Sequence, residues 1–276
     1  DYAMKILAFD IGGTNIKYAV CNERFELGEL QSIPTQAAKG GQHIINTVIE
    51  IIASYDDIDR VAISTAGQVD SENGIVVYSS DNIPYYTGML VKKIVETKTG
   101  IPTIVENDVN AAALGEAIFG AAKGYSDFVC LTFGTGIGGA IYVNNSLYKG
   151  CNSSAGEFGH IITHAGGRPC PCGGEGCYEQ YASAKALTQA VEKVTGEEMN
   201  GFQIFSKNSL LDPEIRHVVD TWIDEIIIGL KSIIYTFNPQ LLVLGGGIMS
   251  EEYIIELIDR KIYKELMETF RSVKIV

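Results

Sequence analysis

The sequence predicts an α/β protein built from two related halves. Three observations support this: predicted strands alternate with predicted helices along the 276 residues, glycine turns follow several strands, and the order strand, glycine turn, strand occurs twice. The two copies are "FDIGGTNIKYAV", starting at Phe9, and "LTFGTGIGGAIYV", starting at Leu131. We therefore expect two α/β domains, residues 1–119 and residues 120–276.

Apolar runs predict the strands, and apolar residues three to four positions apart predict the helices. Besides the two glycine hairpins, the predicted strands are 60–64, 101–108 and 241–247. The predicted helices are 43–54, 88–98, 109–120, 182–195, 214–237 and 251–270, and residues 144–181 are predicted to be irregular. Trp222 lies on the apolar stripe of the helix over 214–237, which predicts core packing for its side chain. The closing "VKIV" predicts the start of another strand, so we expect the last elements of the fold to be missing.

Composition argues against two classes of partner. The chain carries 21 Lys and Arg against 34 Asp and Glu, a net charge of −13. Proteins that bind nucleic acid gain most of their affinity by neutralising phosphates, so this balance argues against such a role. No apolar run approaches the ~18 residues of a membrane span, and no signal peptide is recognisable. We expect a cytoplasmic protein that acts on a small molecule.

Glycine turns at 10–15, 134–139 and 245–247 are candidate phosphate sites. Glycine lets backbone N–H groups approach a phosphate closely. Each turn alone is equally consistent with an ordinary strand connection, and none matches a Walker or dinucleotide motif. Together, the hairpins that contain Thr14 and Thr135 could grip a triphosphate from two sides. Asp10 could hold a divalent cation, with water in between.

The segment "VEND", residues 105–108, places Asp108 between a predicted strand and a predicted helix. Aspartate is a favoured helix N-cap, which is the structural interpretation. The catalytic interpretation is that Asp108 is a general base, because a carboxylate can accept the proton of an attacking hydroxyl. The segment itself does not separate these two roles, and they can coexist.

The segment "CPCGGEGC", residues 170–177, predicts a metal site. One histidine and three cysteines, His160, Cys170, Cys172 and Cys177, match a closed tetrahedral zinc site of the structural kind. The redox alternative is disfavoured because no Cys-x-x-Cys pair is present.

These motifs resemble those of a known family. The segments "FDIGGTNIKYAV", "ENDVNAAALGE", "LTFGTGIGGAIYVNNSLYKG", "AGEFGH" and "CPCGGEGCYE" are similar to those of the ROK family of bacterial sugar kinases and related repressors. The resemblance implies the actin-like, ribonuclease H-like fold, with ATP in a central cleft between two domains. It also implies the cofactors ATP, Mg²⁺ and structural Zn²⁺, and a homodimer.

The resemblance assigns a role to each candidate site residue. Asp108 matches the catalytic base, and the matching sugar ligands are Asn107, Glu157, His160 and Glu179. The matching nucleotide-binding residues are Asp10, Gly12, Gly13, Thr14, Gly134, Thr135, Gly136, Gly245 and Gly246. His160 would serve twice, with one ring nitrogen on zinc and the other toward the sugar.

The function implied is ATP-dependent phosphorylation of a hexose or hexose derivative, with the 6-hydroxyl of a glucose-type sugar as the usual acceptor. A sugar-responsive repressor is the alternative, but the first hairpin begins at residue 10 and leaves no room for a preceding DNA-binding region. A non-catalytic sugar-binding protein is a third possibility. Glucose, fructose, N-acetylmannosamine, N-acetylglucosamine and β-glucosides all remain open. The segment "SSDNIPYYTG", residues 79–88, is expected to line the sugar site, where Tyr85 or Tyr86 could stack on a ring or an aglycone.

Overall fold

The structure is a computed structural model that describes residues 4–276. It divides into two compact units. The first unit holds the described residues up to Ala112 together with Lys149–Ser154, and the second holds Ala113–Tyr148 and Ala155–Val276. The chain passes from the first unit to the second within the helix Asp108–Phe119, and the predicted division after residue 119 falls at the end of that helix.

The first unit begins with a glycine hairpin and continues with alternating strands and helices. Its strands are β1 (Lys5–Ile11), β2 (Asn15–Asn22), β3 (Gln31–Pro34), β4 (Arg60–Thr65), β5 (Gln68–Asp70), β6 (Ile75–Tyr78) and β7 (Thr103–Asn107). Its helices are α1 (Gly41–Ala53) and α2 (Val91–Thr99), followed by α3 (Asp108–Phe119), which leads into the second unit.

Five strands of the first unit form one sheet in the order β3-β2-β1-β4-β7. Strands β1, β4 and β7 are parallel, so their carboxyl ends meet at one edge. Alternate residues of β1 (Leu7, Phe9 and Ile11) are buried in the core beneath α1 and α2. This leaves Asp10 exposed at the carboxyl edge, where ligands bind in open α/β sheets.

The second unit repeats this plan. Its strands are β8 (Phe128–Phe133), β9 (Ile137–Val143), β10 (Ser146–Tyr148), β11 (Leu241–Gly245) and β12 (Lys274–Ile275). Its helices are α4 (Glu179–Ala182), α5 (Ala184–Thr195), α6 (Gly201–Ile204), α7 (Pro213–Phe237) and α8 (Glu252–Glu265). The sheet order is β10-β9-β8-β11-β12, in which an antiparallel hairpin is again followed by parallel strands.

Helix α7 confirms the strongest of the helix predictions. Its start combines Pro213 at the first position with Asp212, whose side chain accepts a hydrogen bond from the Glu214 N–H at 2.8 Å. It ends at Asn238, which adopts the left-handed conformation with φ 44°. Trp222 is 3% exposed and packs in the core, as its place on the stripe predicts.

Several boundaries differ from prediction for local reasons. Helix α2 begins three residues later than predicted, because Gly88 adopts φ 81° and donates to the Val76 carbonyl in a turn. Helix α8 ends at Glu265, because Leu266 is extended and buried there. The second glycine turn is only 134–136, since Gly138 and Gly139 already belong to β9. The short strands β3, β5, β6 and β10 were missed.

Within residues 4–276, no helix combines the length and apolar character needed to cross a lipid bilayer.

Candidate active site

Asn107 and Asp108 form the corner between β7 and α3. The structural interpretation of Asp108 as the N-cap is wrong, since Asp108 is the first helical residue and Asn107 is the cap. Asn107 Oδ1 accepts from the N–H groups of Val109 and Asn110, both at 3.0 Å. The capping role therefore belongs to Asn107, which leaves the Asp108 carboxylate available for another role.

The amide group of Asn107 also holds Asp108 in place. Its Nδ2 donates to the Gly67 carbonyl at 2.7 Å and to Asp108 Oδ1 at 3.1 Å. With the two capping bonds, both donors and both lone pairs of the side-chain amide are used. A sugar hydroxyl could therefore reach Asn107 only by replacing one of these bonds.

The Asp108 carboxylate lies in an environment that raises its affinity for a proton. Two hydrogen bonds, from Val109 N–H at 2.9 Å and from Asn107 Nδ2 at 3.1 Å, end on Oδ1 and hold the carboxylate in place. Burial raises the pKa of Asp108 to about 6, and the negative charge of Asp10 adds to this rise. A carboxylate with this pKa is ionised at neutral pH and can still accept a proton efficiently.

Asp10 lies at the same sheet edge as Asp108. Register pairs Asp10 with Ser64, and the next residue of β4, Thr65, with Asn107. Ser64 Oγ donates to Asp10 Oδ1 at 3.2 Å, and Asp10 is otherwise exposed. The structure thus brings together two of the predicted residues, Asp10 and Asp108, from segments about a hundred positions apart.

Two hydrogen bonds hold the backbone of the first glycine hairpin. Gly12 N–H donates to the Asn15 carbonyl at 3.0 Å, while Thr35 Oγ1 donates to the Gly12 carbonyl at 2.7 Å. Gly13 and Thr14 are exposed at the tip. Their backbone is therefore fixed and accessible, as a phosphate-binding turn requires.

Two charged residues that support the β7–α3 corner, Glu106 and Lys149, were not predicted from the sequence. Glu106 Oε1 accepts from Asn107 N–H at 2.9 Å and from Asn110 Nδ2 at 3.2 Å, and its Oε2 pairs with Lys149 Nζ at 2.8 Å. Lys149 also contacts the Ser71 hydroxyl. No sequence pattern links Lys149 to a strand end more than forty positions earlier, because the pairing depends on how the chain returns to the first unit.

In the second unit, a cavity of about 380 Å³ adjoins the second glycine turn. Its lining residues are Phe133, Gly134, Ala184, Thr188, Asn200, Gly201, Phe202, Gly247, Ile248 and Glu251. Of the predicted nucleotide-binding residues in the described chain, Gly134 alone lines this cavity. Gly246 instead has a packing role, because at φ 105° a Cβ atom there would overlap the Phe133 carbonyl.

The predicted zinc ligands lie together. One ligand atom from each of His160, Cys170, Cys172 and Cys177 lies within 4.8 Å of the others. The Cys172 and Cys177 sulfurs are 3.6 Å apart, and Cys170 Sγ is 3.7 Å from His160 Nδ1. Two sulfurs bound to one tetrahedral zinc ion would lie ~3.8 Å apart, so the donor set and spacing fit zinc.

Burial and the neighbouring thiols make Cys177 hard to ionise without a cation. Its pKa is raised to about 12, first because it is buried and then because Cys172 and Cys170 face it. A divalent cation would remove this penalty by replacing the thiol protons. The cluster therefore fits a metal better than three free thiols.

The three remaining sugar-ligand candidates are His160, which belongs to this cluster, and Glu157 and Glu179, which lie beside it. His160 directs Nδ1 toward the cysteines, while its Nε2 lies 3.9 Å from Glu157 Oε2. Glu179, the first residue of α4, has Oε1 3.7 Å from Cys170 Sγ. The structure thus brings Glu157, His160 and Glu179 onto one loop system in the second unit.

His164, four residues after His160, makes two defined contacts. Its ring stacks on Tyr181 with centroids 3.8 Å apart, and its Nε2 lies 3.5 Å from Glu225 Oε2 on α7. It therefore fastens the loop that carries the three clustered cysteines to α7.

Comparison with known proteins identifies the family. The chain matches the ROK family over residues 6–276 and belongs to it. It is 40% identical over 267 residues to an uncharacterized protein of Clostridium perfringens (strain 13 / Type A), covering 94% of this chain and 87% of that protein. It is 33% identical over 258 residues to a beta-glucoside kinase of Listeria innocua, covering 92% and 86%.

A solved structure supports the same assignment. The ROK family glucokinase from Streptomyces griseus, in complex with glucose and AMPPNP, superposes with a TM-score of 0.85 at 30% identity over 99% of this chain and 92% of that one. The predictions of the ROK family, of its sugar kinase class and of its actin-like ATPase fold are therefore confirmed.

Proposed function

We propose that this sugar kinase transfers the γ-phosphoryl group of ATP to the 6-hydroxyl of a glucose-type hexose, with Asp108 as the general base. The observation that carries the proposal is the Asp108 carboxylate, which is held through Oδ1 and has a pKa of about 6. Phosphoryl transfer requires mainly positioning and charge stabilisation, so one oriented base suffices to take the proton of the acceptor hydroxyl.

The first unit supplies the phosphate and base functions. The N–H groups of Gly13 and Thr14 are available to phosphate oxygens at the tip of the hairpin, whereas the Gly12 N–H is used within the turn. Asp10 is exposed and would hold the Mg²⁺ that accompanies ATP, an ion that neutralises phosphate charge. Asn107 orients Asp108, and Glu106 fixes the backbone of Asn107 from behind.

The second unit supplies the nucleoside side. Its cavity of about 380 Å³ has the size of a small-molecule site and is lined by apolar side chains with a few polar groups, Thr188 and Asn200 among them. Phe202 lines this cavity and is 73% exposed, which leaves its ring free to stack on an adenine. Gly134 connects the cavity to the second phosphate turn, as the predicted role of Gly134, Thr135 and Gly136 requires.

The zinc loop supplies the sugar ligands. Zn²⁺ on His160, Cys170, Cys172 and Cys177 would fix the loop and leave no open coordination position, so its role is structural. With Nδ1 directed at the metal, His160 can present Nε2 to a sugar hydroxyl beside Glu157.

The exposed side chain of Tyr85 is relevant to the choice of sugar substrate. Tyr86 is fully buried, with its hydroxyl 2.7 Å from Thr65 Oγ1, so Tyr86 cannot stack on a substrate. Tyr85 is 91% exposed and adopts φ 56°, a conformation that bulky residues rarely adopt. Tyr86 contacts Thr65, the residue of β4 that pairs with Asn107, so the segment that carries Tyr85 packs next to the catalytic edge. We infer that Tyr85 contacts a group beyond the phosphorylated ring, which favours a β-glucoside over a free hexose.

A sugar panel tests the proposed function. ATP consumption is measured with glucose, fructose, N-acetylmannosamine, N-acetylglucosamine and a β-glucoside, and the product is analysed by NMR for the position of the phosphate. We expect phosphorylation on the 6-hydroxyl, with the highest kcat/KM of the panel for the β-glucoside. Absence of ATP consumption with every sugar, or transfer to another hydroxyl, would contradict the proposal.

A further inference from the structure

Glu179 joins two segments with different proposed roles. Its Oε2 accepts a hydrogen bond at 3.2 Å from the N–H of Ile137, the residue that follows the second phosphate turn. Its other oxygen, Oε1, faces the zinc loop, 3.7 Å from Cys170 Sγ and 3.4 Å from Gln180 Nε2. One carboxylate thus contacts both the turn that would hold phosphate and the loop that would hold sugar.

Two glycines make room for this carboxylate. A Cβ atom on Gly136 would overlap Glu179 Oε2, and a Cβ atom on Gly159 would lie only 3.0 Å from it. Neither glycine has a positive φ. A Cβ atom on Gly159 would also overlap the Ile137 carbonyl oxygen, so only Gly136 is limited by Glu179 alone. Position 136 therefore requires glycine because a side chain there would occupy the space of the Glu179 carboxylate, and not because of its backbone conformation.

We propose that Glu179 couples the nucleotide site to the sugar site, so that occupancy of the second phosphate turn increases the affinity for sugar. This inference rests on the proposed function, which assigns phosphate to the turn and sugar ligands to the loop, and on the family resemblance, which makes Glu179 one of those ligands. A phosphate on the turn fixes Gly134–Ile137, and the ordered Ile137 N–H holds Oε2. Oε1 then points at a defined place and can accept a hydrogen bond from a sugar hydroxyl at lower entropic cost.

Coupling of this kind is reciprocal. If nucleotide increases the affinity for sugar by some factor, sugar increases the affinity for nucleotide by the same factor. Coupling between two sites typically amounts to about 5- to 150-fold. A single shared hydrogen bond places the expected value at the lower end, about 5- to 10-fold.

The second turn offers a matched pair of substitutions. Gly136→Ala would displace the Glu179 carboxylate, whereas a Cβ atom on Gly134 meets no atom within 4 Å. Both glycines belong to the same turn, which is closed by a hydrogen bond of 2.9 Å from Gly134 N–H to the Gly136 carbonyl. A difference between the two variants in sugar affinity would therefore report the position of Glu179 and not a general effect of alanine in the turn.

The experiment measures the Kd of the best sugar of the panel by calorimetry, without nucleotide and with saturating AMPPNP, for wild type, G136A and G134A. We expect wild type to bind sugar about 5- to 10-fold more tightly with AMPPNP. Without nucleotide, G136A should bind sugar at least 5-fold more weakly than both wild type and G134A. G136A should also lose the effect of AMPPNP on the sugar Kd.

A second measurement covers the case in which G136A does not fold. Hydrogen exchange of the Ile137 amide in wild type should slow when sugar binds, because the sugar orders the carboxylate that accepts this N–H. Equal sugar affinities in the three proteins, or an exchange rate that sugar does not change, would overturn the coupling while leaving the kinase function intact. Absence of sugar binding by wild type would overturn the proposed function, and the coupling with it.

Discussion

The environment of Asp108 predicts that removing its charge stabilises the protein while removing activity. The pKa of Asp108 rises from 3.8 to about 6 in the folded protein, chiefly because of burial. A pKa difference of one corresponds to ~1.4 kcal/mol, so the ionised carboxylate costs the folded state up to about 3 kcal/mol. Because the folded pKa is the higher one, the cost is complete above pH 6, shrinks between pH 6 and 4, and vanishes below.

The substitution that tests this reasoning is Asp108→Asn. The amide oxygen can still accept from Val109 N–H, so the helix start is preserved. We expect the free energy of unfolding to increase by about 2–3 kcal/mol at pH 7.5 and by much less at pH 4. The assay is denaturant unfolding at both pH values.

A matched control lies two residues away. Glu106→Gln makes the same change of charge, but Glu106 is paired with Lys149 at 2.8 Å, and the two side chains are only 16% and 32% exposed. This variant should therefore lose about 1 kcal/mol. The reasoning is refuted if D108N is less stable than wild type at pH 7.5, or if its effect is the same at both pH values.

Four further predictions concern the site. Below pH 6, kcat/KM should fall about tenfold per pH unit, because Asp108 must be ionised to act as a base; a pH profile flat down to pH 5 would contradict this. Metal analysis should find one zinc per chain, and chelation should abolish sugar binding measured by calorimetry; a zinc-free protein that binds sugar would refute it. Phe202→Ala should raise the KM for ATP about 5- to 30-fold with little change in the KM for sugar. Tyr85→Ala should reduce kcat/KM for a β-glucoside more than for glucose, and equal losses would exclude aglycone contact.

Elements with strong periodicity could be predicted from sequence. The apolar stripe of α7 predicted its limits to within one residue. The strands that end in glycine turns could also be located from sequence, because a buried apolar run followed by glycine has few other interpretations. Strands β5 and β6 could not be found this way, since three or four residues carry too little pattern to separate a strand from a loop.

The site was predictable where its chemistry lies in one segment. His160, Cys170, Cys172 and Cys177 occur within eighteen positions, so their spacing alone indicates a metal site. The sequence could not show that Asn107, rather than Asp108, caps α3. Both residue types are good caps, and only the limits of β7 and α3 decide between them. The contacts of Glu106 with Lys149 and of Glu179 with Ile137 depend on tertiary packing, which no local pattern encodes.

The turnover of Asp108→Ala decides whether this carboxylate is the general base. With the best sugar of the panel and saturating ATP, we expect a kcat lower by about 10²- to 10⁴-fold, the usual contribution of a general base. The Kd values for sugar and AMPPNP should stay within a few-fold of wild type, since both ligands have other contacts. A kcat within tenfold of wild type would show that Asp108 is not the base.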